Sequence, residues 1–210
     1  VNANPPTLTE ADYETAARNL GCEVAAIQAV ATVESGGRAG FAADGRPIIR
    51  YELHIFQRRT NAIYHQTHPH LSQPDLASGN PYHTRAQANE WSLMHNAMIL
   101  RDAARVRRSS DAWQSASWGM FQLMGFNYGV HWNSIDDMVT AMYRSENEHL
   151  NGFVGFCRQN NLVRHIIARD WASFARVYNG RDYAVNNYDT NMANAYTRIR
   201  ADRVRRGLTP

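Results

Sequence analysis

The chain contains no lysine: all 22 of its basic residues are arginine. Its positive charge therefore sits on planar, permanently ionised groups, which suit carboxylate and phosphate partners. Cysteine is nearly absent too. Cys22 and Cys157 stand alone with no CxxC pair, which argues against a disulfide framework or a cysteine zinc site and leaves a single bridge open. No apolar run approaches the roughly 18 residues of a membrane-spanning helix. No signal-peptide pattern is visible either, and the chain opens with Val rather than Met, so export is left undecided by these residues. What is present is a core. Hydrophobic residues make up 44% of the 210, with five Trp and ten Tyr, which excludes a disordered chain and fits one domain.

A net charge of +3 is mild, but arginines crowd between Arg101 and Arg108 and again between Arg198 and Arg206. Such clusters suit an anionic polymer or lipid, or simply form a solvated helix face. Nucleic acid is not an expected partner, because no recognition helix or aromatic-interleaved basic pattern accompanies them. His65, His68, His70 and His83 lie in a polar stretch over residues 60–83 without a glutamate or cysteine at helical spacing, so neither a metal nor a cofactor is expected. That stretch reads as a loop near a substrate cleft.

Residues 1–7 look like a linker end. Thr7 and Glu10 form a capping-box pattern for a helix that runs to about Leu20 and stops at Gly21. Between Arg38 and Ile55, the Asp44-Gly45 turn pair and the alternating PIIRYELHIF predict a small hairpin or two short strands, the one convincing β signal. Further helices are predicted over about 85–107, with Trp91, Met94, His95 and Met98 on one stripe and His95 as a core histidine, and over about 135–159, capped by Ser134 and Asp137. Two more follow, over 171–178 after Asp170 and from about Thr190 to Arg206. Residues 111–125, interrupted by Gly119, read as a short helix, a turn and a second short helix. The fold class is mainly α (α+β), with about seven or more helices and a small hairpin.

The residue around which this arrangement turns is Glu34. Ala31, Val30 and Ile27 precede it by three, four and seven positions, so a helix here places the carboxylate on the core-facing stripe. Gly36 and Gly37 then end the helix. An apolar surround and the negative end of the helix dipole both disfavour the charged carboxylate, the environment of a proton donor near neutral pH. Cleavage of a glycosidic bond needs such a donor at the leaving oxygen.

Three separated motifs, Glu34-Ser35-Gly36-Gly37, Trp118-Gly119-Met120-Phe121-Gln122 and Tyr178-Asn179-Gly180, resemble in order those of the goose-type lysozyme and lytic transglycosylase superfamily. More closely, DGRPIIRYELHIF, SASWGMFQLMGFNY and WASFARVYNGRDYAVNNYDTNMANAY resemble the N-acetylmuramidase domain of bacteriophage endolysins, from about Thr7 to Ile199. The resemblance implies a lysozyme-like fold over residues 8–210 and cleavage of the β-1,4 bond between N-acetylmuramic acid and N-acetylglucosamine, with Glu34 as general acid. It implies that Gln122 lines the cleft, that Tyr178 hydrogen-bonds Glu34 into place and that Asn179 supports the turn or touches substrate. Core packing is favoured for two of Trp118, Met120 and Phe121, one of which also lines the sugar cleft, and Trp118 and Phe121 are the candidates counted among the sugar contacts.

Two-carboxylate hydrolysis needs a partner at roughly 5–5.5 Å for a covalent intermediate or ~6.5–9.5 Å for an activated water. Glu52 is the preferred candidate and Asp44 the other, because a strand holds a side chain better than a turn. The segment Tyr51-Glu52-Leu53-His54 departs at two positions from the family's F-E-R-H-like pattern; His54 would orient Glu52 or sugar. The expected partner is peptidoglycan glycan, met by a monomer that waits in the host cytoplasm and acts in the periplasm. The basic C-terminal helix is a candidate for contact with anionic outer membrane. A lytic transglycosylase using one glutamate, or a wall-binding module without turnover, are the competing readings.

Overall fold

Thr9, rather than Thr7, opens the first helix, α1 (Glu10–Leu20). Its hydroxyl accepts from the Asp12 N–H, and the Asp12 carboxylate accepts from the Thr9 N–H at 2.8 Å, a reciprocal box shifted two residues from the expected one. Glu10 is thereby free to meet Arg203 near the far end of the chain. The computed structural model describes residues 4–74, 86–104 and 107–210. Helix α2 (Val24–Ser35) is apolar on almost every side, with Ala25, Ile27, Ala29 and Val30 all inaccessible, so it lies inside the core rather than on its surface. It ends as its sequence requires: Gly36 lies at φ 62, and the Gly37 N–H returns to Thr32 O at 2.8 Å.

Beyond a turn closed by a Phe41–Pro47 bridge come β1 (Ile49–Tyr51) and α3 (Leu53–Arg59). The expected strand therefore stops at Tyr51. LHIF coils instead because Leu53 and Phe56, three apart, both reach the core. Next are α4 (Gln87–Ile99) and α5 (Ser109–Gln114). The polar stretch 60–83 is described only to residue 74; there Tyr64 stacks on Phe56 and Leu71 O accepts from the Tyr51 hydroxyl, while the remainder, His83 included, lies outside the described residues. His95 is exposed rather than in the core, with its ring centroid 5.6 Å from that of Trp91.

A further correction concerns residues 116–124, which were expected to hold a turn at Gly119 and a second short helix. They form β2 (Ala116–Trp118) and β3 (Leu123–Met124), joined to β1 in one antiparallel sheet of order β1-β2-β3. The reversal depends on two left-handed residues, Gly119 at φ 69 and Gln122 at φ 48. Gln122 tolerates that conformation because its own amide closes the turn, accepting from Ser117 Oγ and donating to Gly119 O, both at 2.8 Å. Register sets Arg50 opposite Ser117 and Ser117 opposite Met124, while Ile49, Tyr51, Ala116, Trp118 and Leu123 share the other, buried face.

A 3-10 segment (Gly125–Val130) leads into α6 (Ile135–Met142) and α7 (Glu146–Gln159). The single long helix expected here is broken at Tyr143, because Ser145 caps a new start and turns Glu146 inward. The Glu146 carboxylate accepts from Leu8 N–H at 2.9 Å and Gly40 N–H at 2.6 Å, joining three distant segments. Helices α8 (Val163–Ala168), which was not anticipated, α9 (Trp171–Tyr178) and α10 (Tyr188–Arg205) complete the chain. The arginines of α10 largely serve the fold. Arg200 pairs with Glu23, Arg203 is buried against Glu10 and Gln28, and Arg205 pairs with Asp202.

Candidate active site

Glu34 stands in the last turn of α2, half-buried, and Asn179 at the end of α9 donates to its Oε1 at 2.8 Å. Burial pushes the Glu34 carboxyl up to about 7, against the Asn179 hydrogen bond and the positive charge of Arg50, both of which pull the other way. A carboxylic acid that keeps its proton near neutrality is thus set beside one fixed amide.

Asn179 also lines a cleft of about 620 Å³ whose walls include Glu52, His54, Met124 and Tyr178. The period-two alternation of β1 explains the sheet-side wall. Glu52 continues the ladder through its N–H to Ser115 O at 2.9 Å, so Arg50 and Glu52 follow the same face as Ser117 and Met124. Glu52 is then the residue before α3, and His54 Nδ1 approaches its Oε2 at 3.7 Å. Tyr188, the first residue of α10, has its hydroxyl held protonated by burial, then by the charge of Glu34 and by Glu52 against Arg50. One phenol therefore stands within electrostatic reach of both carboxyls and the arginine. Neither Arg50 nor Tyr188 was picked out from the sequence; the spacing of Arg50 and Glu52 carried the signal for the first, and nothing local marked the second.

Other sequence-based assignments are corrected. Trp118 and Phe121 are wholly buried and offer no surface to a sugar. Trp118 sits edge-on to Trp91 and donates to Trp113 O at 3.0 Å, and Phe121 stacks on Phe153 at 4.5 Å. Tyr178 hydrogen-bonds Phe121 O at 2.7 Å, so the hydrogen bond on Glu34 comes from its neighbour Asn179 instead. Gln122 uses its amide to brace the β2–β3 turn. Asp44 is tied to Arg46 at 2.6 Å, which holds its carboxyl below the usual range, and it does not line the cleft. Arg46 in turn lies over the Trp91 ring at 5.0 Å.

A second cavity, of about 680 Å³, opens at the other end of α2 around Cys22 and Glu23. Glu23 is paired there with Arg169 at 3.2 Å and with Arg200 at 3.0 Å.

The family model for N-acetylmuramidase matches residues 23–200. Among solved structures, the crystal structure of the Burkholderia AP3 phage endolysin is similar, with a TM-score of 0.74 and 33% sequence identity over 95% of this chain and 73% of that one. No curated protein matches the chain.

Proposed function

Given that the chain belongs to the N-acetylmuramidase family, a family of peptidoglycan-cleaving glycosidases, we propose that it cuts the β-1,4 bond between N-acetylmuramic acid and N-acetylglucosamine, with Glu34 as general acid. The observation that carries this reading is the half-buried Glu34, its carboxyl raised to about 7 and fixed by Asn179 beside an open cleft. In the ground state Glu34 holds a proton. As the glycosidic bond lengthens, charge develops on the leaving oxygen and Glu34 supplies that proton. The carboxylate left behind is stabilised by the Asn179 N–H and by Arg50.

Glu52 is the second carboxylate in this reading. It lies on the sheet side of the cleft with His54 close enough to orient it, whereas Asp44 is occupied by Arg46. Glu52 either activates water or attacks the sugar carbon. The substrate is bacterial peptidoglycan and the outcome is cell lysis.

Mass spectrometry of peptidoglycan digested by wild type, Glu34→Gln and Glu52→Gln tests the assignment. Muramic acid at the new reducing ends, lost in Glu34→Gln, is the expected result. Reducing N-acetylglucosamine ends would overturn the bond assignment, and 1,6-anhydromuramic ends would make the enzyme a lytic transglycosylase. A fully active Glu52→Gln variant would remove Glu52 from the mechanism.

A further inference from the structure

The cleft does not end at Glu52, the one of the two carboxyls that lines it. It extends along the outer flank of α3 to the 3-10 segment and the end of α7, where Arg58, Phe126, Asn127 and Asn160 line it. None of these four has a part in the chemistry described above. We propose that this arm binds a muramoyl unit together with its peptide stem, Phe126 lying under the sugar and Arg58 holding a stem carboxylate. The inference rests on the glycan-cleaving reading and adds to it a preference for stem-bearing strands.

Phe126 leaves 43% of its surface exposed in the cleft, next to the exposed Val177. Its outward position is built in rather than incidental. A Cβ on the preceding Gly125 would lie 2.1 Å from Trp113 O, so the backbone is pressed onto α5 immediately before Phe126, whose ring lines the cleft. A flat aromatic face held this way matches the apolar C–H face of a pyranose ring. Asn127 and Asn160 supply amide groups for acetamido and hydroxyl partners, although one Asn160 N–H is already given to Phe156 O at 3.0 Å.

Arg58 lies one helical turn beyond His54 and on the same flank of α3. Its neighbour Arg59 is paired with Asp111 at 3.6 Å, but Arg58 is exposed and pairs with no carboxylate among the described residues. Charge then orders the ligand along the cleft. Glu52 repels an anionic stem at one end and Arg58 attracts it at the other, so the neutral sugar faces Glu52 and the peptide faces Arg58. The volume, about 620 Å³, lies within the roughly 300–1,000 Å³ usual for ligand sites.

Steady-state kinetics on stem-bearing glycan fragments, and on the same strands stripped of peptide by an amidase with the freed lactyl carboxylate capped as a neutral amide, test the inference. Wild type should show a KM about fivefold lower on the stem-bearing fragments, the worth of one exposed ion pair. Arg58→Gln should erase that difference with kcat unchanged, Arg58→Lys should restore part of it, and Phe126→Ala should raise KM on both substrates. Both residues are exposed, so melting temperatures should stay within a degree or two of wild type. Normal turnover with the same KM on both substrates, or an Arg58→Gln effect equal on both, overturns the stem site alone. A wild type that releases no muramic acid ends from either substrate overturns the glycan-cleaving reading and this inference with it.

Discussion

Asn179 donates one side-chain N–H to Glu34 Oε1 at 2.8 Å while its own Oδ1 is buried with no partner among the described residues. An orphaned buried acceptor normally costs stability. Beside a carboxyl that holds a proton it has a use, because a rotated amide accepts from the Glu34 O–H as readily as it donates to the carboxylate. The pair can therefore hold its geometry before and after proton transfer. Glu34→Gln should lower turnover on purified peptidoglycan by about 10²–10⁴-fold, the usual contribution of a general acid, with melting temperature equal to or above wild type. A loss of activity accompanied by a lower melting temperature would make Glu34 a structural residue.

The pH profile follows from the same contacts. Glu34 must be protonated to act, so kcat/KM should fall as pH rises through about 7. Asn179 and Arg50 both favour the charged form. Replacing either, by Asn179→Ala or Arg50→Gln, should move the alkaline limb to higher pH. Arg50→Lys keeps the charge and should leave the limb nearly in place. A limb that moves down, or stays fixed in all three variants, would assign the proton donor to another group.

Stability should depend on pH through two groups acting in opposite directions, the buried His149 and the half-buried Glu34. His149 is held neutral, its pKa lowered to about 4 from 6.5 by burial, against the hydrogen bond to Met142 O. The unfolded chain binds the extra proton between those values, so this contribution rises with pH from about 4 to 6.5 and is lost on acidification. Glu34 is raised from 4.5 to about 7, so there the folded state binds the extra proton and stability falls as pH climbs through that window. Each amounts to roughly 3 kcal/mol and the two nearly cancel between pH 5 and 6. Urea unfolding of Glu34→Gln across this range should reveal the histidine alone, as stability that climbs more steeply with pH than in wild type. Parallel curves for the two proteins would contradict the buried acid.

Glu34 was legible because a helix writes its face at three- and four-residue intervals, and because two glycines mark where it stops. The sheet was only half legible. Alternation was read over PIIRYELHIF although only Ile49–Tyr51 of it pairs as strand, whereas β2 and β3, three and two residues long, lack such alternating flanks, and their turn relies on Gln122 bonding back to Ser117 and Gly119. No local signal announces a side chain that braces its own turn. The exchange of roles between Tyr178 and Asn179 is of the same kind. Adjacent residues at a helix end point in different directions, and the sequence does not say which one faces Glu34 and which enters the Phe153, Phe156 and Phe174 cluster. Trp118 and Phe121 were misassigned because an aromatic that fills a core and one that lines a sugar cleft have the same letters. Tyr188 is brought in by α10 packing on α2, a relation between residues over 150 positions apart.

His149 also explains a glycine that backbone geometry does not. Gly119 needs its left-handed φ of 69, but Gly40 carries no such requirement. A Cβ at Gly40 would stand 2.6 Å from His149 Nδ1, and one at Gly119 would stand 2.7 Å from the same ring. The imidazole fills the gap between the two loops, accepting from Met120 N–H at 3.2 Å and donating to Met142 O at 2.8 Å, which requires the neutral Nε2–H form. Gly40→Ala should therefore cost about 1–3 kcal/mol by overpacking. In a His149→Ala background the ring is gone and most of that cost should vanish, leaving a coupling of about 1 kcal/mol or more in a double-mutant cycle measured by chemical denaturation. Strict additivity would mean that Gly40 answers to the Met120 N–H, 3.1 Å from the same Cβ, and that the histidine is not what fixes the position of the loop after Glu34.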